Sequence, residues 1–340
     1  MKEIKTVDAV GQVLCHDITQ IIKDVTKGPV FRKGRIIQEE DIPVLLSVGK
    51  DHIFVWENDE TMMHENDAAE VLCEICKGEN IGRGEVKEGK IELKAECDGV
   101  LYIDEEKLHL VNSFGQMMIA TRHGYFPVHK GDKLAGTRII PLVIEKEKMD
   151  DVKAKAGSEA ILSVHPFIPK KVGIVTTGNE VFHGRIKDTF TPVVIDKVEE
   201  YGAEVVGHKL SDDSNENIEA AIRELLDEGA DMILCTGGMS VDPDDKTPLA
   251  IRSVCGQVIT YGAPVLPGAM FLLAYYGEKQ IPIMGLPGCV MYAKRTIFDL
   301  VLPRVMTGEI LSKEDFDILG EGGLCLDCEV CTFPNCGFGK

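Results

Sequence analysis

The chain predicts an α/β protein: a three-layer α/β/α domain built on a mostly parallel sheet, preceded by a smaller β-rich α+β domain. Three observations carry that expectation. From residue 172 onward, short apolar β-branched runs alternate with segments of helical apolar spacing, the pattern of right-handed βαβ crossovers. Three of these runs end in glycine turns, at Thr177-Gly178, Gly237-Gly238 and Pro287-Gly288. Before about residue 165 the segments are shorter and partly alternating, as half-buried strands require. The expected divisions are 1–165, 168–312 and a cysteine-rich tail over 320–340.

In the first region, Glu39-Glu40-Asp41-Ile42-Pro43 sets acids and a proline at a helix start, and Gly49 stops that helix before a strand over His52–Trp56. Asp67–Ile75 reads as a second short helix. Its Cys73 and Cys76 have the spacing of half a metal site or a redox pair, but their place beside Leu72 and Ile75 favours packing. From Ile91, apolar and charged residues alternate through Leu101-Tyr102-Ile103 and Leu108-His109-Leu110, predicting antiparallel hairpins, and Arg138–Ile144 predicts one further strand. Charged, alanine-rich Glu145–Ala160 reads as a connecting helix and linker, with the boundary near Pro169.

In the second region, Val172–Thr176 predicts a strand ending at Thr177-Gly178-Asn179-Glu180. A helix follows with Val194, Val198 and Tyr201 on one face and Gly202 past its end. After a strand over Glu204–Leu210, Asp213-Ser214-Asn215-Glu216 fits a capping box, and Ile218, Ala221, Ile222, Leu225 and Leu226 form one helical face. The apolar run Met232–Cys235 predicts a buried strand. Leu249–Val254 predicts a helix, Gln257–Tyr261 a short strand, Ile281–Gly288 a strand entering a Gly-Pro turn, and Ala293–Val305 a final helix.

At 340 residues and 44% hydrophobic content the chain has material for two or more cores. Its net charge of -19 argues against nucleic acid or an anionic membrane as main partner, since either needs a cationic face. No stretch approaches the ~18 uninterrupted apolar residues of a membrane span, and Met1-Lys2-Glu3-Ile4-Lys5 has no signal-peptide core. The expected location is therefore cytoplasmic, where the 11 cysteines stay reduced and serve as core residues, metal ligands or redox groups.

The chemistry concentrates after the buried strand, in Thr236-Gly237-Gly238-Met239-Ser240-Val241-Asp242-Pro243-Asp244-Asp245-Lys246. Ligands of open α/β sheets bind beyond the carboxyl ends of strands, and adjacent glycines let the main chain approach a phosphate. An acidic surface turn would look similar in isolation. Three glycine turns on one sheet edge favour a phosphate-bearing ligand.

These residues resemble the molybdopterin-binding domain shared by the molybdopterin molybdenumtransferases (molybdenum-insertion enzymes), the gephyrin E-domain and the molybdopterin adenylyltransferases, over roughly residues 168–310. The motifs are Thr176-Thr177-Gly178-Asn179-Glu180, Gly184-Arg185-Ile186-Lys187-Asp188-Thr189-Phe190, Asp212-Asp213, the Gly237–Asp245 loop and Leu286-Pro287-Gly288-Cys289-Val290. Departures from the family pattern are Asn179, Thr189-Phe190, Asp242 and Cys289-Val290. The resemblance implies a ligand that is molybdopterin or its adenylylated or molybdenum-loaded form, with molybdate as second substrate, in a symmetric oligomer. It assigns cofactor binding to Thr177, Gly178, Asn179, Glu180, Thr236, Gly237, Gly238, Met239, Ser240, Asp242, Lys246, Pro287, Gly288 and Cys289, with the phosphate cradled by the N–H groups of Thr236–Met239 and by Ser240. Asp245, with Asp212 or Asp188, is expected to coordinate Mg²⁺ across the phosphates as hard oxygen ligands do. Asp188 and Asp212 equally suit helix caps, Lys246 equally suits a solvated partner of Asp244, and Cys289 either contacts molybdenum or fills space beneath its turn.

The tail carries Cys325, Cys328, Cys331 and Cys336, spaced x₂, x₂ and x₄. That density predicts a thiolate metal site, either structural Zn²⁺ or an iron–sulfur cluster, and the Cys-x-x-Cys-x-x-Cys run with a nearby proline leans towards the cluster. Three functions stand open at this point. One is molybdate insertion with Mg²⁺-dependent AMP release; the second is a non-catalytic cofactor carrier or sensor; the third is an assembly partner docking onto molybdoenzymes through the tail.

Overall fold

The computed structural model describes all residues except 23–25 and 57–58. The chain forms two compact units: Met1–Glu96, Ile103–Arg122 and Lys130–Ser163 make the first, and Cys97–Tyr102, His123–His129 and Val164–Lys340 the second.

The first unit is an α+β assembly. Strand Lys2–Lys5 pairs antiparallel with His52–Val55, and Leu14, Ile18, Ile37, Leu45 and Ile53 fill a core beneath the helix Asp41–Ser47. The Arg35 guanidinium grips the Asp41 carboxylate through two bonds of 2.8 and 2.7 Å, holding that carboxyl below its ordinary range. A four-stranded antiparallel sheet runs in the order Ile81–Arg83, Lys90–Ala95, Lys133–Ile139, Met117–Thr121. The helix Glu65–Cys76 starts at His64, whose Nδ1 accepts from Asn66 N at 3.1 Å, and buries both Cys73 and Cys76. Burial pushes the Cys76 thiol up to about 12, as a packing role requires.

Two expectations fail here. Leu108-His109-Leu110 lies in a helix, Glu105–Ser113, because Asp104 caps it by accepting from Lys107 N at 2.8 Å; the apparent alternation was too short to outweigh a cap. Arg138–Ile144 is two strands, ending at Ile139 and resuming at Val143, with Pro141 between them unable to continue a ladder.

The second unit is built on a six-stranded sheet. In chain order its elements are β1 (Lys171–Thr177), α1 (Asn179–Phe182), α2 (Phe190–Glu199), β2 (Glu204–Ser211), α3 (Asn215–Asp227), β3 (Met232–Thr236), α4 (Thr247–Cys255), β4 (Val258–Tyr261), β5 (Leu272–Tyr276), β6 (Ile281–Leu286) and α5 (Ile297–Met306). The sheet order is β2-β1-β3-β6-β5-β4. β2, β1, β3 and β6 are mutually parallel, whereas β5 runs antiparallel to both its neighbours. Separate apolar clusters cover the two faces, one including Ile174, Leu234 and Met284, the other Val175, Ile233 and Ile283, so the three-layer expectation holds.

β5 was not anticipated. Leu272-Leu273-Ala274-Tyr275-Tyr276 is an unbroken apolar run without alternation. α3 starts at Ser214, whose Oγ accepts from Asn217 N at 3.4 Å; Glu216 stands one position early for a reciprocal box and instead accepts from that hydroxyl at 3.0 Å. α5 begins later than Ala293 because Thr296 and Asp299 form a capping box there, leaving Gly288–Met291 as a short 3₁₀ turn.

Candidate functional site

The chain leaves β1 towards β2 on one side of the sheet, then crosses to β3 on the other side of β1. The carboxyl ends of β1 and β3 therefore flank a topological switch point, where the loops diverge and open a crevice. The two loops touch behind it. Thr177 Oγ1 donates to Thr236 O at 3.2 Å and lies 3.2 Å from Thr247 Oγ1, which donates to Gly237 O at 2.9 Å. Gly237 and Gly238 have φ of 86° and 56°; a Cβ on the first would stand 2.4 Å from Thr177 O, and on the second 2.8 Å from Thr247 Oγ1. Only glycine combines that backbone with that contact.

The loop is tied at its far end as well. Asp245 accepts from Ser240 N at 2.8 Å, and the Tyr261 hydroxyl donates to Met239 O at 3.0 Å. In front of it lies a cavity of about 540 Å³, lined by Gly237, Gly238, Met239, Ser240, Asp245, Pro287, Gly288 and Cys289, all anticipated from sequence. Leu286, from the quoted Leu-Pro-Gly motif, also lines it, and Gly268, Ala269, Met270, Met291 and Tyr292 complete the wall and were missed, since no spacing marks them. Burial pushes the Cys289 thiol above its ordinary pKa, which suits a neutral space-filler beneath the turn.

The remaining anticipated residues lie around this cavity without lining it. Thr177 and Thr236 are buried beneath the loops, and Gly178, with φ 131°, turns the chain into α1 at Asn179 and Glu180. Asp242 is exposed, and Lys246 is the residue before α4. Asp188 accepts from Phe190 N at 2.9 Å, Thr191 N at 3.0 Å and Thr191 Oγ1 at 2.5 Å, so it caps α2. Burial works against its charge, but those bonds prevail and hold the carboxyl below its ordinary range. Asp212 accepts from Ser214 N at 3.0 Å and Asn217 Nδ2 at 2.9 Å, which anchors α3.

Asp213, read from sequence as part of the Asp212-Asp213 motif and of a capping box, lies beside the site without lining the cavity. It accepts from Asn179 N at 2.9 Å. Burial raises its pKa, the Asn179 bond opposes that, and the charges of Glu180, Asp245 and Asp212 add to the rise. Among the described residues no three His, Cys, Asp or Glu side chains converge on an ion-sized point. Nor, among them, is any helix long and apolar enough to cross a membrane.

Residues 173–307 match the family model described as "Probable molybdopterin binding domain". Residues 3–57 match a domain of unknown function, DUF8806. Among individual relatives, a CinA-like protein of Mycobacterium avium is 35% identical over 98 residues, 29% of this chain and 23% of that protein. A CinA-like protein of Mycolicibacterium gilvum is 38% identical over 87 residues, 26% and 21% of the two chains. The chain thus spans under a quarter of the length of these curated relatives. Of solved structures, the molybdopterin biosynthesis enzyme MoaB of Thermus thermophilus is 26% identical, covering 41% of this chain and 98% of that one with a TM-score of 0.36.

Proposed function

We propose that the second unit binds molybdopterin, in its adenylylated or molybdenum-loaded form, and that the protein serves molybdenum cofactor biosynthesis. The observation that carries this reading is the cavity at the switch point, walled by main chain at Gly237, Gly238 and Gly288 and lying within the matched segment. Its volume lies in the range of small-ligand sites, and at its glycine turns and Ser240 a phosphate can approach the backbone and a hydroxyl closely. The finer reading is molybdate insertion with release of AMP. Mg²⁺ is ordinarily held by one or two carboxylates, waters and substrate phosphates, so it needs no complete protein cage. Asp245 and Asp213 suit that role; the cation would neutralise phosphate charge as AMP departs. Asp188 and Asp212, expected at this metal, commit their oxygens to helix caps.

That last fact favours an alternative, a carrier that holds the cofactor without turning it over. Titration calorimetry with adenylylated molybdopterin, followed by chromatographic assay of AMP with molybdate and Mg²⁺, separates the two. Binding plus Mg²⁺-dependent AMP release that is lost in Asp245→Asn supports insertion; the asparagine keeps the acceptor for Ser240 N and removes only the charge. Binding without release supports the carrier, and no binding sinks the proposal.

A further inference from the structure

The pterin reading leaves the cysteine tail unused. The tail is nevertheless folded. Gly339 N donates to Gly322 O at 2.8 Å, so the segment leaves and returns at one neck. A Cβ on Gly322 would lie 2.0 Å from Lys340 O, and one on Gly339 2.5 Å from Leu300 Cδ2. Phe338 is buried in the core of the second unit, with Cys325, Phe333 and Cys336 packed against it, while Cys328 and Cys331 stand exposed. Cys325 N donates to Leu266 O at 2.8 Å, fixing the first thiol's backbone.

All four tail cysteines line a single cavity of about 190 Å³. Leu326, Phe333 and Phe338 give it apolar walls, and Lys294 and Arg295 bring positive charge. Lys294 Nζ donates to the carbonyls of Cys328 at 2.7 Å and Glu329 at 3.0 Å, and the Arg295 guanidinium lies 5.0 Å from the Phe333 ring centre.

We propose that this cavity is the site of a [4Fe–4S] cluster ligated by Cys325, Cys328, Cys331 and Cys336. A single zinc ion draws four sulfurs to within ~2.3 Å of one point. Here the four cysteines line one void, Cys325 and Cys336 half-buried and Cys328 and Cys331 exposed. A void of about 190 Å³ bordered by four cysteines has room for a multi-atom cluster. The spacing x₂, x₂ repeats the run used for such clusters. Four thiolates leave the assembled cluster with excess negative charge; Lys294 and Arg295 stand in the same wall as Asp327, and Arg295 is also paired with Asp299.

The test uses the full chain purified without oxygen and, separately, incubated with ferrous iron and sulfide or with zinc. The expected result is about four iron and four sulfide atoms per chain, with broad visible absorption that bleaches on reduction. A Cys328→Ser/Cys331→Ser variant should lose iron and absorption while keeping the melting temperature of the metal-free parent, because both side chains are exposed and outside the core. One tightly held zinc with no iron uptake, no metal under any condition, or iron retained by the double variant would each overturn the assignment. None of these outcomes touches the pterin proposal, whose readout is ligand binding.

Discussion

Replacing Gly237 by alanine tests whether the loop at the switch point is held by contact rather than by chance of composition. The added Cβ meets two penalties. A left-handed φ costs a non-glycine residue ~1–2 kcal/mol, and at 2.4 Å from Thr177 O the methyl overlaps a main-chain atom rather than a side chain that can swing away. Overpacking of that kind costs ~1–3 kcal/mol. Together they give ~2–5 kcal/mol, or a fall in Tm of roughly 5–15 °C for a unit of this size. Gly288→Ala is the matched control: its φ is not left-handed and a Cβ there meets nothing within 4 Å, yet it lines the same cavity. That variant should melt with the parent and bind adenylylated molybdopterin about tenfold more weakly, ~1.4 kcal/mol. Differential scanning fluorimetry and calorimetric titration read both effects. A Gly237→Ala protein melting within a degree or two of the parent would refute the reasoning.

Two further outcomes concern the acids. Asp188 has a depressed folded pKa, so its stabilisation is complete above the ordinary carboxylate pKa of ~3.9 and disappears as pH falls through the folded value. The stability gap between parent and Asp188→Asn, followed by urea midpoints from about pH 6 down to pH 2, should therefore shrink on acidification; a constant gap would count against the cap. Asp213 shows the opposite sign: its raised pKa means that the charge destabilises the folded state above that value and that the strain is relieved as pH falls. Asp213→Asn should accordingly raise Tm at neutral pH, since its Oδ1 still accepts from Asn179 N, while Mg²⁺-dependent ligand binding weakens. A lower Tm would contradict the electrostatic account.

The parallel strands and their glycine turns were legible because buried β-branched runs and Gly-Gly pairs are strong local signals, and Thr177, Gly237 and Gly288 all lie at the one sheet edge anticipated. What escaped notice depended on contacts distant in sequence. Leu272–Tyr276 carries no periodicity, so only its pairing with Ile281–Leu286 marks it as a strand. Gly268, Ala269 and Met270 enter the wall because that hairpin places them there. The choice between Asp212 and Asp213 was open to local reasoning, since an acid two residues before Ser214 commonly accepts from its amide, leaving the next acid free to serve elsewhere. Leu108–Leu110 shows the converse lesson, that one capping aspartate outweighs three residues of apparent alternation.

The neck between Gly322 and Gly339 changes what metal would do for this protein. In a zinc finger, ion binding supplies the free energy that orders the chain. Here main-chain contacts hold the two ends of the loop together and Phe338 is buried in the core, so the protein's own contacts meet the loop-closure entropy. The tail is built as a socket rather than a clasp: a metal centre of the kind proposed for it would be removable without unfolding the loop.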